Sequence, residues 1–229
     1  MARRLGYPFA LANALFFQAF VHWRRREVTA QRENAAETIA LSEAHGFPLW
    51  LGLGQAFHAA ARMAAGELEA ITDVVAGLAL VAGTGNQGGS PALFALLGEA
   101  YLTASQFTEA HGAAAAGLAI AAQTGQALFN SELNRLRGEI VLASGGAFAE
   151  AEPHFHHALE IARAQKAKSF ELRAATSLAR LWRDQSKRAE ARDLLAPIYA
   201  WFIEGFDTAD LKDAKALLDQ LSANKAGTL

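Results

Sequence analysis

The sequence predicts an all-α fold, a right-handed α-α superhelix of about five helix pairs followed by a C-terminal capping helix. Alanine, the strongest helix former, accounts for 53 of the 229 residues, whereas proline accounts for only five. Similar segments recur every 39 to 41 residues, and three of the four end in glycine, as helices commonly do. Because two antiparallel helices cannot bury their own apolar stripes, the pairs are expected to stack on one another.

Two sets of equivalent positions define the repeat. The segments that close the second helix of each pair are residues 39–46, 77–85, 117–125 and 158–166. Alanines recur with the same period at Ala30, Ala70, Ala110, Ala151 and Ala191. A small residue stands twelve or thirteen positions before three of these alanines, at Gly98, Gly138 and Ala179, whereas His58 takes this place in the second repeat. Small residues at these positions would let the two helices of a pair touch.

The repeats divide the chain as follows. The array covers 1–221, with repeats at approximately 8–46, 47–85, 90–125, 127–166 and 168–205. Ser90 is expected to cap the helix that begins at Pro91. A capping helix at 207–221, with Asp207 as its N-cap, has an apolar stripe formed by Leu211, Ala214, Leu217, Leu218 and Leu221. Residues 222–229 are expected to form a flexible tail.

Composition excludes several classes of function. The net charge is −2, with charges of both signs along the whole chain, so no basic footprint for nucleic acid is present. The chain has no cysteine, which removes disulfides and thiolate sites and fits a cytoplasmic location.

The apolar segment from Leu5 to Val21 admits two interpretations. Asn13 and Gln18 interrupt it, which argues against a membrane span, and no membrane partner is expected. A signal peptide stays open as an alternative, because Arg3-Arg4 precedes the apolar run. Its place in the repeat pattern, with Pro8 at the start of a helix, favours the first helix of the array.

The spacing of small and aromatic residues in the first helices resembles that of tetratricopeptide (TPR) repeats. Gly98 precedes Tyr101, and Ala179 precedes Trp182, by three positions. The stretches 169–182, 189–199 and 202–208 resemble the C-terminal end of bacterial proteins that join a class III adenylate/guanylate cyclase domain to a STAND-type ATPase and a TPR array. The resemblance covers 1–221 and implies a TPR-like solenoid with a sensor or scaffold role. The cyclase and ATPase activities would reside in upstream modules, since this chain has no phosphate-binding loop.

Two motifs with chemical meaning are explained by the repeat. The run from Gly83 to Gly88 matches the dinucleotide fingerprint, but it follows a predicted helix instead of a strand. His154, His156 and His157 cluster in one helix, with His111 at a similar place one repeat earlier. They lack the i, i+4 spacing and the carboxylate of the usual helical zinc motif, so a solvated cluster is favoured. We expect no metal, no cofactor and no catalytic residues.

The sequence thus predicts a non-catalytic module that binds a protein or peptide, or an upstream ATPase or cyclase module, in a groove lined by first helices. The candidate binding residues are Gln55, Arg62, Glu99, Arg135, Glu139, Arg180 and Arg183. An inter-repeat ladder of salt bridges is the alternative role of these charges. Small-molecule sensing in the same groove is the second functional hypothesis. Self-association is expected if Phe9, Phe16, Phe17 and Phe20 are uncovered at the N-terminal end.

Overall fold

The computed structural model describes residues 7–85 and 90–223, and every regular element in these ranges is helical. The all-α prediction is confirmed. The chain divides into two compact units, unit 1 (Met1–Ala110) and unit 2 (His111–Leu229). The first helices along the chain are α1 (Pro8–Arg25), α2 (Val28–His45), α3 (Pro48–Ala64), α4 (Ile71–Gly83) and α5 (Pro91–Thr103). They are followed by α6 (Phe107–Thr124), α7 (Asn130–Ala143), α8 (Phe148–Ala164), α9 (Lys168–Asp184), α10 (Arg188–Ala200) and α11 (Ala209–Ser222). Short 3₁₀ turns, Leu68–Ala70 and Ala127–Phe129, precede α4 and α7.

In unit 1, each helix packs on the next one along the chain, and first helices also contact first helices. Thus α3 contacts α2 and α4, and it also contacts α1 and α5. An aromatic cluster fills the space between α1 and α3, where the ring of Phe57 lies 5.2 Å from that of Phe16 and 5.6 Å from that of Trp23. Aromatic pairs at such distances add to the free energy gained by burying apolar surface.

Unit 2 repeats this pattern. Helix α9 packs against α8 and α10, and it also contacts α7 and α11. Its core is built from alanines that let the helices approach and from larger side chains such as Phe155, Leu178 and Leu195, all fully buried. Because each contact is with a near neighbour in sequence, the core is assembled from local interactions, as in a repeat protein.

Left-handed backbone conformations recur with the repeat period. Inside the helix pairs they fall at Arg26, Gly66, Ser105, Gly145 and Ser186, and between successive pairs or before the capping helix they fall at Gly46, Gly85, Gly125, Lys166 and Gly205. Each lies in a turn where the chain reverses between antiparallel helices. Glycine accepts this conformation without strain, whereas serine, lysine and arginine adopt it at a cost. Among the described residues, ten turn positions thus have positive φ, and glycine occupies six of them.

Small residues allow two close helix contacts. A Cβ atom on Gly52 would lie 2.7 Å from the carbonyl oxygen of Gly77, so α3 and α4 meet backbone to backbone. A Cβ atom on Gly138 would lie 2.5 Å from the ring of Phe155, so α7 and α8 meet at this point. The alanines of the repeat serve the same purpose, since Ala70, Ala110, Ala151 and Ala191 are fully buried.

One of the two predicted helix N-caps agrees with the structure, and the other differs by one residue. Ser90 caps α5 as expected, accepting a hydrogen bond from the backbone nitrogen of Ala92. The N-cap of α11 is Thr208 instead of Asp207, because Gly205 and Thr208 form a tight turn before the helix begins. Of the phenylalanines on which the self-association prediction depends, Phe16 is buried against Trp50 and Phe57, whereas Phe9 and Phe17 are exposed. Of the predicted tail, residues 224–229 lie outside the described residues, as do Arg3-Arg4 and the first two residues of the segment from Leu5 to Val21.

Among the helices that the structure describes, none combines the length and the hydropathy that a membrane crossing needs.

Candidate partner-binding surface

Three helices of unit 2 are joined by a buried row of charges. Arg173 on α9 donates from Nη1 to Glu132 of α7 at 2.9 Å and from Nε to Asp210 of α11, also at 2.9 Å. The side chain of Glu132 is only 1% exposed, and that of Arg173 is 10% exposed. A buried carboxylate needs such partners, because leaving it unpaired would cost several kcal/mol, about 3 to 5. This row, which we call the inner row, therefore serves to hold α7, α9 and α11 together.

Arg135 and Glu139 lie next to the inner row and contact each other. Arg135 donates to Glu132 at 2.8 Å and to Glu139 at 3.0 Å, one turn away in each direction along α7. Glu139 also accepts a hydrogen bond of 2.6 Å from the hydroxyl of Ser177 on α9. Both candidate residues are thus already engaged within unit 2, and Arg135 is nearly buried.

The charges become accessible toward the ends of α9 and α11. Arg180 lies 3.2 Å from Asp213, and their side chains are 42% and 40% exposed. Arg183 contacts Asp184 and donates to the side-chain oxygen of Gln220 at 2.9 Å. Exposed ion pairs of this kind contribute only about 0 to 1 kcal/mol, so an incoming partner can exchange them for its own contacts at little cost. We call Glu139, Arg180, Arg183, Asp213 and Gln220 the outer patch.

In unit 1, Glu99 on α5 is held by the end of α1. The indole nitrogen of Trp23 donates to Glu99 at 3.0 Å, and Nη1 of Arg24 lies 3.9 Å from the same carboxylate. The three groups join the first helix of one pair to the first helix of the pair after next. Glu99 is therefore held by contacts within unit 1, although its side chain is partly exposed.

Gln55 and Arg62 lie seven residues apart on one face of α3, with His58 between them. Arg62 donates to Glu67 in the following turn at 2.8 Å and to Asp73 on α4 at 2.7 Å, and these hydrogen bonds raise its pKa. Burial lowers the pKa of His58, with further contributions from Arg62 and Arg32. Arg62 thus links α3 to the following turn and to α4, the second helix of its own pair.

The structure brings some predicted site residues together and leaves others apart. Arg135 and Glu139 form one ion pair, and Arg180 and Arg183 share the last turns of α9. Sequence reasoning missed the residues that complete these contacts, namely Glu132, Arg173, Ser177, Asp210, Asp213 and Gln220. One signal was available, because Glu132 and Arg173 have opposite charge and stand 41 residues apart, which is one repeat.

The structure describes part of the glycine-rich run and the histidines at positions 156 and 157. Gly83 ends α4 and Gly85 adopts the left-handed conformation, while Asn86, Gln87 and Gly88 lie outside the described residues. His156 and His157 are exposed on α8, where they face Glu152 and Glu160 at 3.7 Å. Within residues 7–85 and 90–223, no three His, Asp or Glu side chains are arranged to hold a metal ion.

Comparison with known proteins places this fold among repeat proteins. A crystal structure of the putative kinesin light chain nearly identical TPR-like repeats from Podosopora anserina superposes with a TM-score of 0.55 over 95% of this chain and 99% of that one, at 19% identity. A crystal structure of a substituted form of those repeats gives a TM-score of 0.57 over 84% of this chain and 94% of that one, at 22% identity. The fold is TPR-like. No protein-family model and no curated protein matches the sequence.

The charged contacts and the buried alanines differ in how they are distributed between the two kinds of helix. In unit 2, charged side chains join neighbouring first helices, as Glu132 on α7 and Arg173 on α9 do. Buried alanines lie on both kinds of helix, for example Ala56 and Ala174 on first helices and Ala110 and Ala151 on second helices. The charged residues of the outer patch lie on the first helices α7 and α9 and on α11.

Proposed function

We propose that the chain is a non-catalytic protein-interaction module and that the outer patch of unit 2 is its partner-binding surface. The observation that carries this proposal is the gradient of exposure along α7, α9 and α11. The inner row is buried, with Oε1 of Glu132 accepting hydrogen bonds from both Arg135 and Arg173, whereas Arg180 and Asp213 are 42% and 40% exposed. Groups that are rigidly mounted but still accessible give specificity at a low entropic cost.

The chemistry of the outer patch favours a polypeptide. It offers cations at Arg180 and Arg183, anions at Glu139 and Asp213, and the amide of Gln220, spread over three helices. Such mixed charges suit the side chains and main-chain groups of a peptide or helix laid across the three helices. A cluster of one sign, which a nucleic-acid backbone would require, is not what these residues provide.

The identity of the partner follows from a resemblance and is a separate proposal. The last third of the sequence is similar to the end of cyclase–ATPase fusion proteins, and we propose that the module regulates a signalling ATPase or cyclase of that kind. A purified STAND ATPase–cyclase module lacking its own repeats should bind the chain, and its nucleotide turnover should change when it does. Absence of both binding and an effect would remove this proposal while leaving the interaction module intact.

A charge-swap experiment separates recognition from structure. Arg180→Asp breaks the pair with Asp213, and the double variant Arg180→Asp with Asp213→Arg rebuilds an ion pair of reversed polarity. We expect both variants to lose the partners that the wild-type chain recovers as bait in a pull-down. Arg192→Glu changes an exposed charge on the second helix α10 and is the matched control, which should keep the partners.

Two outcomes would contradict the proposal. If the double variant recovers partners as well as wild type does, the pair serves structure alone. If the chain instead shows a saturable rise in Tm with a metabolite or nucleotide, and that rise requires Arg180, the sequence hypothesis of small-molecule sensing replaces it.

A further inference from the structure

Helix α1 has two apolar faces, and only one of them is covered by described residues. The inner face, with Leu15, Phe16 and Trp23, packs into unit 1. The outer face carries a second stripe made of Ala10, Ala14, Phe17 and Val21, all of them exposed, Phe17 to 52% and Val21 to 50%. Spacings of four, three and four residues keep this stripe on one side of the helix.

The outer face of α11, near the end of unit 2, is built differently. Leu211, Ala214, Leu217 and Leu221 are buried, while Lys212, Lys215 and Asp219 are exposed, and Lys215 pairs with Asp219 at 2.7 Å. A polar outer face is what keeps a terminal helix of a repeat array soluble. An apolar stripe with a large aromatic ring at its centre, as on α1, is instead typical of a packing surface.

We propose that α1 forms a two-fold interface with α1 of a second copy of this chain, the two helices running antiparallel. The stripe is self-complementary in that orientation, because its spacing reads four, three, four from either end. A two-fold axis between positions 14 and 17 places Phe17 over Ala14 of the second copy and Val21 over its Ala10. Each large side chain then meets a small one, which is the condition for close helix packing. A two-fold interface requires this kind of self-complementarity.

Charge favours the same orientation. Arg24, Arg25 and Arg26 stand at the C-terminal end of α1, where Arg25 pairs with Glu27 and Arg24 lies near Glu99. Antiparallel packing keeps the arginine clusters of the two copies at opposite ends of the interface, and it opposes the two helix dipoles. A parallel pair would bring six arginines together and align the dipoles. The site is separate from the outer patch, so this proposal does not depend on the proposed function.

Light scattering coupled to size exclusion tests the interface. We expect wild type to be a dimer and Phe17→Glu to be a monomer with unchanged helical circular dichroism. Leu128→Glu places the same charge at a 62% exposed apolar residue of unit 2 and should stay dimeric. A wild-type monomer at every accessible concentration, or a dimeric Phe17→Glu variant, would overturn the proposal. If monomeric wild type instead sediments with phosphatidylserine vesicles, the stripe belongs to a membrane surface.

Engineered cysteines test the orientation, because the native chain has none. Under copper-phenanthroline oxidation, a mixture of Ala10→Cys and Val21→Cys chains should form a disulfide between the two variants. Each variant alone should give little cross-linked product. Efficient cross-linking of Ala10→Cys with itself would indicate parallel packing and contradict the antiparallel interface.

Discussion

Arg173 lies between two carboxylates on different helices, and its hydrogen bond to Glu132, 2.9 Å long, joins the first helices of neighbouring pairs. Removing Arg173 would take away one of the two arginines that donate hydrogen bonds to the buried Glu132, the other being Arg135. We expect Arg173→Met to lower the free energy of unfolding by about 2 to 3 kcal/mol, measured by urea denaturation. Arg192→Met on the exposed face of α10 is the control and should change it by less than about 0.5 kcal/mol.

A double-mutant cycle assigns this effect to the pair. Glu132→Gln combined with Arg173→Met should cost less than the sum of the single variants, with a coupling above about 1 kcal/mol. Additive single effects, or an Arg173→Met variant as stable as Arg192→Met, would show that the inner row does not hold the helices together.

The glycines of the turns act through the backbone. Gly125 has φ +74°, and a Cβ atom there would meet nothing within 4 Å. Gly125→Ala should therefore destabilise the chain by about 1 kcal/mol through backbone strain alone. Gly112 also has open space, but it lies inside α6 with ordinary helical geometry. Gly112→Ala should stabilise by up to about 1 kcal/mol, and equal shifts in Tm for the two variants would contradict the turn assignment.

The contact between α7 and α8 leaves no room for a side chain at Gly138. Its added Cβ atom would lie 2.5 Å from Cε1 of Phe155, a fully buried ring. We expect Gly138→Ala to cost about 1 to 3 kcal/mol in unfolding free energy through overpacking. Phe155→Leu removes the ring that an alanine at position 138 would meet. The Gly138→Ala, Phe155→Leu double variant should therefore lose less stability than the sum of the two single losses. No coupling between the substitutions would show that the helices separate freely.

His154 on α8 is expected to make the free energy of unfolding depend on pH. Burial lowers the pKa of His154 below its ordinary value of 6.5, and the positive charges of Arg137, His111 and His157 lower it further. The unfolded chain then binds a proton more tightly than the folded one, so the free energy of unfolding falls as pH drops from 6.5 toward the lowered pKa. His154→Gln should reduce this fall in urea titrations between about pH 8 and about pH 5. An unchanged pH slope in the variant would contradict the assignment.

The fold could be predicted because its determinants are periodic. Ala110 and Ala151 stand one repeat apart and are fully buried, so the small-residue pattern reported a true helix contact. The pattern could not tell the two faces of α1 apart, because Phe16, Phe17 and Phe20 make the helix apolar on several sides. The sequence therefore grouped Phe16 with Phe17 and Phe20, although Phe16 packs on Phe57.

The site was predicted less completely, for a different reason. The repeat relates positions of the same charge, such as Glu99 and Glu139. The ion pair that joins neighbouring first helices in unit 2 instead links opposite charges, Glu132 and Arg173. The partner of a long side chain depends on its rotamer and on turns of irregular length. Arg62, for example, reaches Glu67 and Asp73 at its own turn, a choice that helical periodicity does not specify.

Site-specific photo-cross-linking from the outer patch tests the central claim most directly. Benzoylphenylalanine would replace Arg183, at the edge of the patch, or Arg192, on the exposed face of α10, and the wild-type partners would then be added under light. Because the proposed binding surface lies on the first helices and α11, we expect cross-linked partner from position 183 and little from position 192. Cross-links from position 192 alone would contradict the account and place recognition on the second helices.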